Sequence, residues 1–282
     1  MSKFHSNEVM HFKSVTLLIQ DMKRSLAFYV GILGFKILDS KAHQVTLSVD
    51  DKNGLITLIE DRTALPLGIT LGLYHYALLV PNHEALARVI KRLIDQRYPI
   101  SGASDHGVSD ALYLDDPDGN GIEIYADKDD HLWPLEHGKL TMWTKGMDVP
   151  SVMKHLKDDA YQGLHPETIL GHLHFHVQNL ESATQFYGHM LGFQVMLDYG
   201  TSARFVSDGG YHHHLGLNTW QKDAPLTKEK QVGLKSYVLH ISGEHYMAFL
   251  RRLQEYHVPL IAEDNYKYII DPLNQKIILD VS

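Results

Sequence analysis

Alternation of apolar and polar residues predicts the strands of this chain, and the clearest example is GHLHFHV, residues 171–177. Successive side chains of a β-strand point to opposite faces, so the apolar residues at 173, 175 and 177 are predicted to pack on a core. The other face then carries three histidines, His172, His174 and His176. Strict alternation also fits a half-exposed strand, so the surrounding sequence has to decide between the two.

A long internal repeat organises the chain. Residues 19–38 (IQDMKRSLAFYVGILGFKIL) align without a gap with residues 177–196 (VQNLESATQFYGHMLGFQVM), and both copies contain Phe-Tyr and Leu-Gly-Phe at matching positions. Each copy predicts a strand, a helix capped by Asp21 or Asn179, and a glycine at the point where the helix must end. Chance would rarely match so many aromatic and glycine positions.

Two weaker copies follow the same order of elements. They begin at residues 73–100, with Asn82 as the predicted helix cap, and at residues 234–260. Both end in a turn and a strand, at 115–127 and 270–282, and the Asp-Gly-Asn-Gly run in the first of these is typical of a tight hairpin turn. The pattern therefore predicts an α+β protein of four modules, each a strand, a helix and further strands.

The repeat also predicts a division of the chain. Residues 1–128 would form an N-terminal domain from modules 1 and 2, and residues 168–282 a C-terminal domain from modules 3 and 4. Residues 129–167 have no place in the repeat and are predicted to be a linker with a short helix near 152–157.

Aligning the first strand of each module separates its two faces. One face is apolar in all four copies and is predicted to pack on the helices. The other face is mixed, as expected of strands that curl around a cavity. On that face, the positions equivalent to His172 are Ser14, His75 and Ser236. His172 is therefore predicted to lie on a cavity wall.

Composition excludes several classes of function. A formal net charge of −8 gives no basic stripe for nucleic acid, and no apolar run is long enough to span a membrane. The first residues lack an apolar signal segment, so a cytoplasmic location is expected. The chain has 20 histidines and no cysteine, so any transition metal must bind histidine and carboxylate side chains. The sequence leaves open whether the chain is a monomer or a homodimer.

The sequence resembles the vicinal oxygen chelate superfamily, which includes glyoxalase I and the extradiol ring-cleaving dioxygenases. The motifs that carry the resemblance are FYVGILGF, FYGHMLGF, GHLHFHV and DPDGNGIEIY. Four modules in a chain of this length are most similar to the bacterial catechol 2,3-dioxygenase-like branch. The resemblance implies four βαβββ modules that form two domains, with curved mixed sheets around cavities.

The resemblance also implies a metal site, because the superfamily takes ligands from the first and last strands of its modules. The matching residues here are His75, Glu123 and His172, the two histidines and one carboxylate typical of non-haem Fe(II) oxygenases. The usual dioxygenase draws its ligands from modules 3 and 4, but in this chain Gly216 and Ile278 stand at the corresponding last-strand positions. Modules 2 and 3 must therefore share one cavity, and the complementary cavity near Ser14 and Ser236 is expected to lack a metal.

Further histidines are candidates for acid–base chemistry. If two leucines of the predicted strand face the helix, alternation places His212, His214 and Gly216 on the cavity face and His213 on the other. His214, which is nearest to Gly216, is then the first candidate for proton transfer. His174 and His212 are candidates for substrate binding. His106 and Tyr113 resemble a histidine and a tyrosine near the metal of extradiol enzymes, although their spacing is shorter. For His106, a turn residue remains an equal alternative.

The function that this resemblance implies is extradiol cleavage of a catechol-like or hydroquinone-like aromatic ring with O₂. The expected cofactor is Fe(II), with Mn(II), Zn(II) and Ni(II) as alternatives. A glyoxalase-type isomerase or transferase, and a metal-free protein that binds small molecules, remain open as alternatives on the same scaffold.

Overall fold

The computed structural model of the chain describes residues 2–157, 160–263 and 265–282. Four similar modules contain most of its strands and helices. Module 1 comprises β1 (His11–Ile19), α1 (Met22–Tyr29), β2 (Lys36–Lys41), β3 (Gln44–Ser48) and β4 (Ile56–Glu60). Module 2 comprises β5 (Gly72–Leu79), α2 (His83–Asp95), β6 (Gly102–Asp105), β7 (Ser109–Asp115) and β8 (Gly121–Asp127).

The segment after module 2 contains short elements only: 3₁₀ turn Asp130–Leu132, β9 (Leu135–Glu136), β10 (Lys139–Leu140), β11 (Lys145–Gly146) and α3 (Val149–Met153). Module 3 comprises β12 (Ile169–His176), α4 (Leu180–Ala183), a π-helical segment Thr184–Met190, β13 (Gln194–Tyr199), β14 (Ala203–Ser207) and β15 (Leu215–Asn218). Module 4 comprises β16 (Gly233–Ile241), α5 (Gly243–Glu255), β17 (Ile261–Glu263), β18 (Tyr266–Ile270) and β19 (Lys276–Val281). The N-terminus adds 3₁₀ turn Lys3–His5 before β1.

The predicted helix starts are confirmed by their capping bonds. The side chains of three residues each accept a hydrogen bond from a backbone N–H three residues later, namely Asp21, Asn82 and Asn179. Gly34 and Gly192 follow the first helices of modules 1 and 3 with φ of 74° and 108°, a conformation that favours glycine. The predicted helix of module 3 is α-helical only at its start and continues as a π-helix.

The first sheet joins modules 1 and 4 in the order β17-β18-β19-β16-β1-β4-β3-β2. At its centre β1 and β16 run antiparallel, whereas β1 pairs with β4 and β16 with β19 in parallel. The sheet is therefore mixed, with a similar half on either side of the central pair.

The second sheet joins modules 2 and 3 in the order β11-β6-β7-β8-β5-β12-β15-β14-β13. Its centre is the antiparallel pair β5 and β12, flanked by parallel pairing of β5 with β8 and of β12 with β15. Gly102 on β6 and Tyr199 on β13 belong to opposite ends of this sheet yet line one cavity, so the sheet curls. The predicted α+β class and the shared cavity of modules 2 and 3 are both confirmed.

Each sheet thus takes one module from residues 1–128 and one from residues 168–282. The apolar faces of the four first strands pack inward as predicted: Leu173 and Phe175 are fully buried, and their equivalents in the other modules belong to the same core. Burial of this face fixes the register of the strands, because a slip of one residue would turn every one of these apolar side chains from the core to the opposite, cavity-lining face.

The short helix of the linking segment differs from its predicted position. It spans Val149–Met153, where Asp148 accepts a hydrogen bond from Ser151 N and a proline occupies the first turn. Aspartate before proline is a helix-start signal that the apolar pattern near 152–157 did not contain. Among the described residues, no helix is long and apolar enough to cross a membrane.

Candidate metal centre

Three neighbouring strands bring the predicted ligands together. His75 lies on β5, Glu123 on β8 and His172 on β12. Ala77 pairs with Glu123 on one neighbouring strand and with His172 on the other. The side chains of Glu123 and His172 therefore lie on either side of the Ala77 methyl group. His75 is two residues before Ala77 on the same face. The small side chain of Ala77 leaves the space in which the three longer ones converge.

The ligand atoms of this His-Glu-His cluster are close enough for one ion. His75 Nε2 lies 3.1 Å and His172 Nε2 lies 3.3 Å from Glu123 Oε2, and all three atoms are within 4.8 Å of one another. Two ligand atoms about 2.1 Å from one metal ion and at a right angle to each other lie about 3.0 Å apart. The observed separations match that requirement.

Hydrogen bonding within the protein leaves these atoms unsatisfied. His75 Nε2 and both ring nitrogens of His172 are buried and have no hydrogen-bond partner with acceptable geometry, despite the nearby carboxylate. Buried polar atoms without partners are rare because each costs about 1–3 kcal/mol. A cation bound by all three side chains would give His75 Nε2 and His172 Nε2 a partner.

The protonation states also suit a cation. Burial opposes ionisation of the Glu123 carboxyl, yet His172 and His75 beside it hold its pKa well below the ordinary value. Burial lowers the pKa of His172 to about 4, which leaves its imidazole neutral at physiological pH. A carboxylate and neutral imidazoles are the forms in which these side chains bind metal ions.

A fourth protein ligand, equivalent to Glu123 in module 2, would have to come from position 216, and the ring of His174 lies there. Gly216 pairs with His174 across β12 and β15, as Glu123 pairs with Ala77 across β5 and β8. Gly216 is therefore the equivalent of Glu123, as predicted. A Cβ atom added to Gly216 would lie 2.8 Å from His174 Cγ, so the His174 ring lies over the glycine. Nε2 of His174 accepts a hydrogen bond from Asn218 Nδ2 at 3.0 Å.

A cavity of about 370 Å³ opens beside the cluster. His75 and Glu123 form part of its wall, and large aromatic side chains form much of the rest: Tyr74, Tyr113, Trp143, Tyr199, Phe205 and Trp220. Among the described residues that line it there is no lysine or arginine. The lining of the cavity is therefore largely aromatic.

His106 and Tyr113 are both in the cavity wall, close to the cluster. His106 Nδ1 lies 3.0 Å from the carbonyl oxygen of Trp143, and its Nε2 lies 2.6 Å from the Tyr113 hydroxyl. Only a proton on Nδ1 satisfies the carbonyl, so Nε2 accepts from the phenol. Burial raises the pKa of Tyr113 well above its ordinary value, which keeps the phenol protonated.

The predicted orientation of the histidines at 212–214 is wrong. His213 lines the cavity, and its ring centroid lies 4.1 Å from that of His172. His214 points away from the cavity; its Nδ1 lies 2.9 Å from Ser207 Oγ and its Nε2 donates to the carbonyl oxygen of Phe4 at 2.9 Å. His212 is fully buried, bound to Asp127 and His213.

The physical reason is that alternation holds only within a strand. β15 begins at Leu215, and the residues before it form an irregular turn in which Gly209 and Gly210 have φ of 63° and 76°. Counting back by twos from the strand therefore gave the wrong side chains. The pair of glycines in DGGYHHH is the signal that could have warned against the extrapolation.

The tryptophans of the cavity wall were not predicted as site residues. Trp143 comes from the segment between modules 2 and 3, and Trp220 follows β15. Nothing in the local sequence indicates their place, because both lie outside the repeated strands and reach the cavity only through the tertiary fold.

Comparison with known proteins agrees with this architecture. Residues 11–124 match the Glyoxalase/Bleomycin resistance protein/Dioxygenase superfamily. The chain is 41% identical over 244 residues to a catechol-2,3-dioxygenase of Bacillus subtilis (strain 168), and the match covers 85% of each protein.

Solved structures share the fold at low sequence identity. A Bacillus subtilis protein with 14% identity has a TM-score of 0.65 and covers 98% of this chain and 86% of its own. Glyoxalase I from Zea mays, also 14% identical, has a TM-score of 0.57 and covers 96% of this chain and 92% of its own. From the extent of the sequence match and the shared fold, this chain belongs to the glyoxalase/bleomycin resistance protein/dioxygenase superfamily.

Proposed function

We propose that the protein is an extradiol dioxygenase that opens a catechol-like or hydroquinone-like ring with O₂. The observation that carries the proposal is the buried His75, Glu123 and His172 cluster beside an aromatic cavity. In the proposed reaction both atoms of O₂ enter the product as the ring bond next to a hydroxyl-bearing carbon breaks, so no external reductant is needed. The catechol-2,3-dioxygenase relative supports this class of activity.

The cofactor that fits best is Fe(II), held by His75, Glu123 and His172. Two imidazoles and one carboxylate on one face of an ion leave positions open, and this arrangement is characteristic of Fe(II) oxygenases. When bound, the ion would supply a site where the ring hydroxyls and O₂ come together. Mn(II), Zn(II) and Ni(II) also accept this ligand set, so a test of the function has to compare all four ions.

The cavity residues would bind and orient the ring. Phe205, Trp143 and Trp220 provide flat apolar surfaces, and aromatic rings stack in offset or edge-to-face arrangements. The Tyr113 hydroxyl, held by His106, lies in the wall near Glu123, its partner across β7 and β8. We assign to Tyr113 the orientation of a substrate oxygen.

His213 is the proposed proton-transfer residue in place of His214. It lines the cavity and contacts the His172 ring, so a ring hydroxyl bound at the metal would lie within its reach. Burial lowers the pKa of His213, so its imidazole is neutral and offers a lone pair that could accept a hydrogen bond from that hydroxyl. His214 donates to Phe4 instead and belongs to the packing of the N-terminus.

The glyoxalase-type alternative is disfavoured by the pairing of Gly216 with His174. A carboxylate equivalent to Glu123 would have to grow from Gly216, where the His174 ring already lies. The chain therefore offers three protein ligands at this place in the fold, and a site for oxygen chemistry needs more than one open position.

The test is a comparison of activities after anaerobic loading with Fe(II), Mn(II), Zn(II) or Ni(II). We expect the Fe(II) protein to consume one O₂ per catechol and to form a yellow ring-opened product, whereas Glu123→Ala should do neither. A hemithioacetal of methylglyoxal and glutathione serves as the glyoxalase substrate. Isomerisation of this compound without O₂ uptake on any catechol or hydroquinone would overturn the proposal.

Several expectations accompany this proposal. The partners would be O₂ and a small aromatic substrate, without nucleic acid or membrane, and a homodimer and a cytoplasmic location stay predictions. The second cavity, near Ser14 and Ser236, is proposed to hold no metal. In the register of the first sheet, Thr57 and Ile278 stand at the positions equivalent to Glu123, and neither offers a carboxylate.

A further inference from the structure

A chain of three polar side chains runs from the cavity wall to the surface. His213, in the wall, has its Nδ1 2.7 Å from Nδ1 of His212. Nε2 of His212 lies 2.9 Å from Asp127 Oδ1. His212 is completely buried, whereas the Asp127 side chain is 20% exposed and lines a surface cleft with Lys3 and Trp133.

The direction of the hydrogen bonds follows from the chemistry of the groups. An ionised carboxylate can only accept, so His212 must donate from Nε2 to Asp127. In a neutral imidazole the other nitrogen is then an acceptor, so Nδ1 of His212 accepts a hydrogen bond from the N–H at Nδ1 of His213. Nδ1 of His213 therefore carries the hydrogen, and its Nε2 is left with a lone pair.

We propose that Asp127 and His212 are positioning residues, which hold His213 in the tautomer with the hydrogen on Nδ1 and the lone pair on Nε2. The tautomer of a histidine is set by the hydrogen bond that its other nitrogen makes. Without Asp127, either nitrogen of His212 could carry the hydrogen, and the tautomer of His213 would no longer be fixed. The inference rests on the proposed function only where catalysis is measured.

Asp127 is itself held in place by aromatic hydroxyls. Tyr211 donates to Asp127 Oδ2 at 3.0 Å, and the hydroxyls of Tyr211 and Tyr125 are 2.7 Å apart. The Tyr125 ring also packs against His172, at 4.9 Å between centroids. The Asp127 carboxylate is thus fixed beside the His-Glu-His cluster, on the same strand, β8, that carries Glu123.

The direct test reads the tautomer in the metal-free protein. Imidazole nitrogen resonances of ¹⁵N-histidine-labelled protein distinguish a protonated from an unprotonated nitrogen, and His213→Gln assigns those of His213. We expect Nδ1 of His213 to be protonated in the wild type and both tautomers to be populated in Asp127→Ala. The exposed Asp129, which makes no capping bond, supplies the control Asp129→Ala, in which the tautomer should not change.

A wild-type His213 protonated at Nε2 would overturn the proposal without any variant, and so would an unchanged tautomer in a folded Asp127→Ala protein. A melting curve of each variant reports whether it is folded. Because the measurement needs neither metal nor substrate, its result stands even if no ring-cleaving activity is found.

The kinetic test asks whether Asp127 acts through His213. In the Fe(II) protein, Asp127→Ala should lower kcat for catechol by roughly 10–100-fold, as loss of a residue that orients a neighbour typically does, with KM and metal content unchanged. In a His213→Gln background the same substitution should cost nothing further. An equal loss in both backgrounds would contradict a positioning role.

Discussion

The hydroxyl of Tyr125 occupies the space in which a side chain at Gly171 would begin. A Cβ atom added to Gly171 would lie 2.0 Å from that oxygen. Gly171 lies at an irregularity in the pairing of β12 with β5, directly before His172. The glycine therefore allows Tyr125, which packs on the His172 ring, to lie against the strand that carries the candidate ligand.

We expect Gly171→Ala to disturb the metal centre through this contact. The methyl group must displace Tyr125 or the backbone before His172, and overpacking of this kind costs about 1–3 kcal/mol. Gly146→Ala is the matched control, since no atom lies within 4 Å of its added Cβ. Chemical denaturation and metal titration should show losses in Gly171→Ala alone; wild-type values for both variants would contradict the argument.

Removal of any one proposed ligand should abolish metal binding. His75→Ala, Glu123→Ala and His172→Ala each leave two ligands on an ion that needs all three, and each should lose the metal and the activity together. His174→Ala should keep the metal, because Nε2 of His174 is bound to Asn218. Metal analysis after dialysis measures the outcome. A full complement of metal in His172→Ala would show that the His-Glu-His cluster is not the metal site.

The adjacent histidines should differ sharply in function. His213→Ala should keep the metal and lose roughly 10²–10⁴-fold in turnover, the usual contribution of a general acid–base group. His214→Ala should retain most of its activity but unfold more readily, because it loses the bond to Phe4. Steady-state kinetics and thermal melts separate the two, and the reverse pattern would restore His214 as the proton-transfer residue.

Gly216 and His174 should be energetically coupled. Gly216→Ala places a methyl group against the His174 ring and is expected to destabilise the protein by about 1–3 kcal/mol. In a His174→Ala background that cost should largely disappear, since the ring has gone. A double-mutant cycle from denaturation curves measures the coupling; additive costs would show that the ring contact is unimportant.

Acid should destabilise the fold through its buried histidines. Burial lowers the pKa of His5 to about 3 and that of His11 to about 4, so both are neutral in the folded protein at pH values where the unfolded chain is protonated. Their contribution to the free energy of unfolding is fully present above about pH 6.5, the pKa of histidine in the unfolded chain. It is lost as the pH falls toward about 4 for His11 and toward about 3 for His5, because the unfolded chain binds the protons first.

The expected slope can be checked with a single variant. Each such histidine lowers the free energy of unfolding by up to about 1.4 kcal/mol per pH unit in that window. Urea denaturation between pH 7 and pH 4.5 should give a shallower decline for His11→Gln than for the wild type. Parallel declines would mean that His11 is not buried in its neutral form.

The sequence by itself determined the modules and the identity of the clustered residues. Hydrophobic alternation fixed the inward faces of the first strands, because burial of one face specifies the register. The repeat placed His172 and His75 at matching positions, and the resemblance to the vicinal oxygen chelate superfamily implied that these two residues and Glu123 are ligands. The helix caps followed from side-chain chemistry that acts over three residues.

The ligand set implied that modules 2 and 3 share a cavity, but only the tertiary structure decided the strand order of each sheet and which neighbouring side chains reach the cavity. Similar modules can pair in more than one way, and the antiparallel contact of β5 with β12 joins residues about a hundred positions apart. The orientation of His213 and the place of Trp143 depend on irregular segments, where side chains follow no fixed period. Their positions are set by packing against distant residues, which local sequence does not encode.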